Sequence, residues 1–271
     1  MSEVKENVEE EKEEEAKEER PLSFTIVKEN PRELLTFISA LSKLTDEMPL
    51  ILEPERIWLR AMDSAHVAMV EFEVNREYFD DYDVSYKQKI NILLEKPLKF
   101  LRGIKRNETA TFTPREGKLA IIISNHRRRT FTTPLLGASE TELGKPKVEY
   151  PARVTIETGQ LTDALSDVSK ITDRVKLTVT KETFEVKGES DEGYEALTKI
   201  ERSYLIDFNV KEIDKLPISA TYNVEMLYSV IKELSKVFEI VNLEFGEDLP
   251  VKITGEIVEG RFTLWSAPRI E

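Results

Sequence analysis

Two stretches of the chain, SALSKLTDEMPLILEPERIWLRA at 39–61 and SDVSKITDRVKLTVTKETFEVKG at 166–188, carry one pattern at an offset of 127. Ser42-Lys43-Leu44-Thr45-Asp46 falls on Ser169-Lys170-Ile171-Thr172-Asp173, and the alternation that follows stays in phase, with Leu50 on Leu177, Leu52 on Val179 and Ile57 on Phe184. A chain of 271 residues has room for two domains of ordinary size, each burying its own core. Two copies of one fold are the simplest account of the repeat. Short alternating strands such as LSFTIV and RIWLRA are broken by amphipathic helices, which predicts an α+β fold: two similar domains, each a sheet with two helices on one face.

The boundaries follow from composition. Residues 1–20, with ten Glu against four Lys or Arg and almost nothing apolar, read as a disordered acidic tail, with a solvated single helix as the alternative. Residues 21–133 form the first domain. PLLGASETELGKPKVEYP, 134–151, is rich in Pro, Gly and small polar residues and lacks a sustained period, so 134–147 reads as an extended connector and 148–271 as the second domain. In the first helix Asn30 is the expected N-cap, Pro31 the first helical residue and Glu33 the capping-box partner, with Leu34, Ile38, Leu41 and Leu44 as the buried stripe. The second helix is expected over 97–106, with a counterpart at about 223–237.

The formal charge is −13, and the tail carries −6 of it, leaving 42 acidic and 35 basic residues on the folded part. Local distribution therefore matters more than the total. LEKPLKFLRGIKRNETA, 94–110, concentrates Lys96, Lys99, Arg102, Lys105 and Arg106. On a helix Lys99, Arg102 and Arg106 fall within about 60° of one another, opposite Phe100, Leu101 and Ile104. Arg32 and Lys43 line the outer face of the first helix, Lys170 repeats Lys43, and Lys232 and Lys236 sit on the exposed side of the last helix. A single such face is ordinarily a solvated one. Repeated on one side of a duplicated fold, these faces add into a basic surface suited to a polyanion held through its phosphates, without sequence reading. Asp163, Asp167 and Glu225 share those faces and make the expected contact loose and salt-sensitive.

In MDSAHVAMVEFEV, 62–74, the even positions Ala68, Val70, Phe72 and Val74 form a core face, so Val67 and Met69 should point outward beside Glu71 and Glu73. Near the C-terminus Phe262 and Leu264 share one parity and Trp265 takes the other. Outward Val, Met and Trp are either scattered surface residues, or residues covered by the connector, or an apolar docking patch with an aromatic anchor. Catalytic readings fare poorly. Asp63, Ser64 and His66 invite a nucleophilic triad, but on a strand Asp63 points away from the other two. Asp80-Asp81-Tyr82-Asp83 lacks the glycine and terminal Glu of a calcium loop and reads as a turn. With no cysteine and two histidines, thiolate and zinc-cysteine chemistry are excluded, and no metal or cofactor is implied. No apolar run spans a bilayer and the N-terminus is not a signal sequence, so an intracellular, soluble protein is expected.

MDSAHVAMVEFEV, the SAPRIE ending, Leu143-Gly144 followed by Pro146, and the duplicated two-helix domain resemble the DNA sliding clamp of archaea and eukaryotes, the proliferating cell nuclear antigen (PCNA) family, over residues 21–271. The resemblance implies a ring of three two-domain subunits with sheets outside and helices lining a hole that holds duplex DNA, without catalysis. It implies that polymerase, clamp loader, ligase and flap nuclease dock through short apolar-aromatic peptides, in DNA replication and repair. A prokaryotic cytoplasm, or a nucleus in a eukaryote, is the implied location. Lys99, Arg102 and Lys232 match the family's channel positions. Met62, His66, Val67, Met69, Leu143, Pro250, Trp265, Ala267, Pro268, Arg269 and Ile270 match its peptide groove, with Trp265 where the family often has Tyr. Subunits would join edge to edge, near Arg127, Arg128, Arg129 and Phe131 on one side and near Glu195 and Leu197 on the other, as a homo- or heterotrimer. The triple Arg would face Glu189, Asp191, Glu192 and Glu195 across that joint. Two other readings stand beside this one: a clamp-like checkpoint or scaffold subunit acting mainly through proteins, and a nuclease-like enzyme using Asp46, Asp63 or the Asp80–Asp83 run.

Overall fold

A computed structural model describes residues 21–137, 143–211 and 213–269. The acidic stretch 1–20 and the middle of the connector lie outside the described residues. The first half runs β1 Phe24–Glu29, α1 Arg32–Leu41, β2 Glu47–Glu53, β3 Arg56–Met62, β4 Ala68–Asn75, β5 Asp81–Val84, β6 Gln88–Leu93, α2 Glu95–Leu101, β7 Thr109–Arg115, β8 Lys118–Ser124 and β9 Arg128–Pro134. The second runs β10 Ala152–Glu157, α3 Thr158–Ser169, β11 Arg174–Val179, β12 Thr183–Glu189, β13 Glu195–Glu201, β14 Asp207–Val210, β15 Ile218–Asn223, α4 Val224–Leu234, β16 Ile240–Phe245, β17 Val251–Ile257 and β18 Gly260–Ser266. The order of strands and helices is the same in both.

Small polar residues of the repeat make the same bonds twice. Ser42 and Ser169 donate their hydroxyls back to the carbonyls of Ser39 and Ser166 at 2.8 and 2.9 Å, closing α1 and α3. Thr45 and Thr172 accept from the amides of Glu47 and Arg174 at 3.2 and 3.3 Å, and the Asp46 and Asp173 carbonyls accept from Leu94 and Val224 at 2.8 and 3.0 Å. The shared S-K-[LI]-T-D motif is thus a helix-to-strand turn.

Each half contributes two sheets, where one was expected. The first supplies β5-β1-β7-β8-β9 and β4-β3-β2-β6; the second supplies β14-β10-β16-β17-β18 and β13-β12-β11-β15. Antiparallel pairing of β4 with β18, from Ala68 opposite Ser266 to Val74 opposite Gly260, fuses one sheet of each half into a nine-stranded sheet. Beneath that seam Phe37 and Phe72 meet Phe238 and Phe262, with Phe37 4.8 Å from Phe72 and 5.7 Å from Phe238 between ring centroids. Gly255 is required there, because a Cβ would run into the Phe238 ring. The halves therefore share a core.

Two helix ends differ from expectation. Asn30 adopts a left-handed backbone (φ 45°) and donates its amide to Glu108, so α1 starts at Arg32 with Pro31 before it and no side-chain cap. Helix α2 ends at Leu101, because the Glu108 carboxylate accepts the Lys105 amide at 2.8 Å in place of a helical carbonyl. Lys105 and Arg106 consequently leave the helix and lie in the following turn. The Asp63 segment is a turn between β3 and β4, not a strand, and Asp81–Val84 forms strand β5.

Candidate nucleic-acid surface and partner groove

The four helices pack in a row: α3 on α4, α4 on α1, and α1 on α2. Their apolar stripes face the sheets, including Phe37, Ile38 and Leu41 of α1 and Leu227, Val230, Ile231 and Leu234 of α4. Arg32, Lys43, Lys99, Arg102, Lys105, Arg106, Lys170, Lys232 and Lys236 are all exposed. They divide into two classes. Lys99 is held by Glu95 at 2.6 Å, Lys170 by Asp167 at 2.7 Å and Lys236 by Glu233 at 2.6 Å. Arg32, Lys43, Arg102, Lys105 and Arg106 make no ion pair with any described residue. Lys232 lies 5.2 Å from the Tyr228 ring, and the Tyr228 hydroxyl, beside Ser166 and Lys232, titrates below its ordinary value.

On the opposite face of the nine-stranded sheet, strand register sets Met62 beside Met69, Met69 beside Trp265 and Trp265 beside Lys252. None of the three apolar side chains belongs to the main core cluster, as their parity requires. Val67 is 51% exposed, but Met69 and Trp265, expected to face solvent, are only 3% and 6% exposed. The connector crosses this face: Lys145, Pro146 and Tyr150 share with Trp265 a cleft of about 650 Å³. Burial, with Glu244 nearby, pushes the Tyr150 hydroxyl up to about 12. Leu143 and Met62 line a second cleft of about 590 Å³ together with Trp58 and Asn91.

The Asp63 carboxylate accepts the amides of Val67 at 2.9 Å and Ala68 at 2.7 Å, so it shapes the loop that presents exposed His66 (φ 58°) and Val67. That is its structural work, away from any triad. The C-terminal segment is tied alongside: the Ala267 amide donates to Val67 at 2.7 Å, the Arg269 amide to Thr221 at 2.7 Å, and the Arg269 guanidinium to Asp173 at 2.6 Å. Arg269, matched to the groove, is thereby committed to the second half. Pro250 and Pro268 are half-buried, with Pro250 directly preceding β17, and Ile270 lies outside the described residues. Asp80, by accepting the Glu29 amide at 2.7 Å, serves the sheet.

The Rad9 family model matches residues 34–244. The DNA polymerase sliding clamp of Pyrococcus furiosus is 30% identical over 253 residues, 92% of this chain and all of that one. That of Thermofilum pendens is 29% identical over 244 residues, 89% of this chain and 96% of the relative. This chain belongs to the Rad9/PCNA family of DNA sliding clamps. Solved structures agree on the fold: PCNA from Thermococcus kodakaraensis superposes with a TM-score of 0.83 at 23% identity, covering 91% of this chain and all of that one. A PCNA2–PCNA3 complex from Sulfolobus tokodaii gives 0.82 at 20% identity, covering 91% and 100%. A. fulgidus PCNA bound to the C-terminal region of FEN-1 gives 0.80 at 21%, covering 92% and 99%.

Within the clamp fold β9 and β13 are free edges of their sheets. Arg127 and Arg128 are exposed there, but Arg129 is turned inward: its guanidinium donates to the buried Glu108 carboxylate at 3.0 and 3.1 Å and lies over the Phe100 ring, which stacks on Phe131 at 5.0 Å. Burial pushes the Glu108 carboxyl up, but the Lys105 amide and Arg129 outweigh it and hold it below the ordinary range. The expected charge joint therefore rests on two arginines. On β13, Glu195 is paired with Lys187 at 2.8 Å and Leu197 is 41% exposed.

Sequence reasoning missed two buried carboxylates, Glu71 and Glu108, each 3% exposed. Alternation predicts an outward Glu71 and is right about its direction. Its cover, Lys145, comes from a segment without period, and no local signal announces it.

Proposed function

We propose that this chain is a subunit of a ring that encircles duplex DNA without reading its sequence and tethers polymerase and other replication and repair enzymes, with no catalysis of its own. The observation that carries this reading is the pairing of β4 with β18 inside the chain. By the duplication β13 is the second-half counterpart of β4, and β9 is the first-half counterpart of β18. The two free edges are thus the same pair of surfaces, left open. Joining them between chains repeats the internal seam: the five-stranded sheet of one chain and the four-stranded sheet of the next fuse into another nine-stranded sheet, and the helix row continues head to tail until the ring closes. Three chains give six repeats, as a homotrimer or with paralogous chains. The helix row then faces the hole and offers its unpaired cations to phosphates.

Partners would insert an apolar-aromatic peptide against Met62, Val67, Met69, Leu143 and Trp265. That a structural neighbour, A. fulgidus PCNA, is bound to the C-terminal region of FEN-1 supports this reading. DNA polymerase is the partner named for the relatives, and clamp loader and ligase complete the expected set. Archaeal relatives support a working compartment at the nucleoid, and no helix among the described residues is long and apolar enough to cross a membrane. The test is retention on DNA. After loading, the chain should remain on closed circular DNA and slide off the same DNA once linearised, and native mass should report three subunits. Equal retention on both forms would overturn encirclement.

A further inference from the structure

The connector crosses the outer sheet face above a polar cleft. Among the described residues one tie between them is centred on Glu71, whose side chain is 4% exposed on a face where the neighbouring Glu73 side chain is 23% exposed. Arg60, its cross-strand partner on β3, contacts one oxygen at 2.5 Å, and Lys145 of the connector contacts the other at 2.8 Å. Arg60 also donates to the Leu143 carbonyl at 2.7 Å and lies 5.0 Å from the Trp58 ring, which fixes its own orientation. Both ends of the connector segment 143–145 are therefore attached to one buried carboxylate, directly through Lys145 and by way of Arg60. A lone carboxylate at this depth would be strongly unfavourable, whereas two cations, each bonded to one of its oxygens, compensate it.

Glu71 stands two residues from Met69 on the same face of β4, so the clip sits at the side of the apolar row formed by Met62, Met69 and Trp265. Leu143, matched to the groove, is carried by the same segment. We infer that Glu71 is a positioning residue for partner binding: with Arg60 and Lys145 it pins the connector against the sheet and so fixes the wall on which a partner's apolar-aromatic peptide closes. This rests on the docking reading above. A flexible connector would have to be ordered by each incoming peptide, and an anchored one is ordered beforehand. Elsewhere in the connector the Leu136 amide donates to Asn91 at 2.8 Å and Tyr150 shares the cleft with Trp265; neither contact holds 143–145.

The experiment uses the full chain and three variants: Glu71→Gln, which keeps the shape and removes the charge, Lys145→Met, which keeps the stem, and the double variant. A nitroxide on Lys147→Cys, an exposed position in a chain without cysteine, reads connector mobility, and titration with a peptide from the C-terminal region of FEN-1 reads docking. Each single variant should sharpen the label's spectrum and weaken the peptide roughly tenfold, with the double variant no worse than either single one, because contacting residues are coupled. Hydrogen exchange in α1–α4 and the assembly state should not change. An unchanged spectrum in Lys145→Met, whose site is half-exposed and cannot threaten folding, would overturn the clip. A sharper spectrum with unchanged peptide affinity would overturn the positioning role. Should the unmodified chain bind no peptide while its connector responds as described, the docking reading falls and the clip stands.

Discussion

The division of the helix-row cations into paired and unpaired classes leads to a ranking that a count of charges does not. Each phosphate neutralised by a cation releases condensed counterions and adds about 0.9 to the slope of log K against log salt. Arg102 has no carboxylate partner among the described residues and offers its full charge. Lys99, on the same helix, sits 2.6 Å from Glu95, so its charge is largely met before any phosphate arrives. A lysine in such a pair must exchange one anion for another, and the net counterion release is smaller. Arg102→Ala and Lys43→Ala should therefore each lower the slope by about 0.9 for every phosphate left without its cation, while Lys99→Ala and Lys170→Ala lower it by less than half of that. Glu95→Gln should raise the slope, because it frees Lys99. The assay is fluorescence anisotropy of labelled duplex DNA with the assembled protein from about 50 to about 200 mM salt, the range over which phosphate-dominated binding changes most. Equal slopes for Lys99→Ala and Arg102→Ala would show that intrahelical pairing does not screen these lysines, and the ranking would be wrong.

Arg128 and Arg129 should separate. Arg129→Ala leaves the Glu108 carboxylate buried without its cation and should cost about 1–3 kcal/mol of subunit stability in chemical denaturation, discounted because the Arg129 side chain is 27% exposed. Arg128→Glu should leave that stability unchanged and weaken assembly, read by native mass at decreasing concentration; a variant that assembles as before would remove Arg128 from the joint. The C-terminal clasp should respond to acid. Arg269 holds the Asp173 carboxyl below its ordinary 3.8, so the clasp is complete above that value and is lost as pH falls through the lowered one. Exchange of the Arg269 amide should rise on acidification relative to unclasped amides, and Asp173→Asn should show the same loosening at neutral pH.

What the sequence revealed and what it withheld follow one physical line. The S-K-[LI]-T-D repeat is legible because it encodes a local turn, whose hydroxyl and carbonyl bonds recur between residues a few positions apart. Helix phases are legible for the same reason: Lys232 of α4 is exposed, while Lys43, Lys170 and Lys236 are exposed in the turns just past the ends of α1, α3 and α4. Arg106 is not on its expected face, because the helix is ended by Glu108, a residue whose burial depends on Arg129 from a strand two hairpin arms away. Met69 and Trp265 point to the predicted side of the sheet yet are buried, because periodicity gives direction and says nothing about what lies above. The connector that lies beside Trp265 has no period to read. Fusion of one sheet from each half was equally hidden, since pairing of β4 with β18 joins residues nearly two hundred positions apart.

On the proposed reading, that fusion is what would let a chain this acidic present cations to DNA. A helix carrying Lys99 and Arg102 alone would sit in the field of a body with seven more acids than bases. Pairing β4 with β18 aligns the two halves so that α1 lies against α4, and four modest basic faces become neighbours within about 10 Å of one another, the usual distance between packed helices. The Debye length at physiological salt is about 8 Å, so adjacent helices reinforce one another while acids on the far face of the sheets are screened out. The edge pairing between chains would continue that alignment across each joint. The mild positive field of the proposed hole would then be a product of strand register: shifting β4 on β18 would separate α1 from α4 before it touched a single lysine.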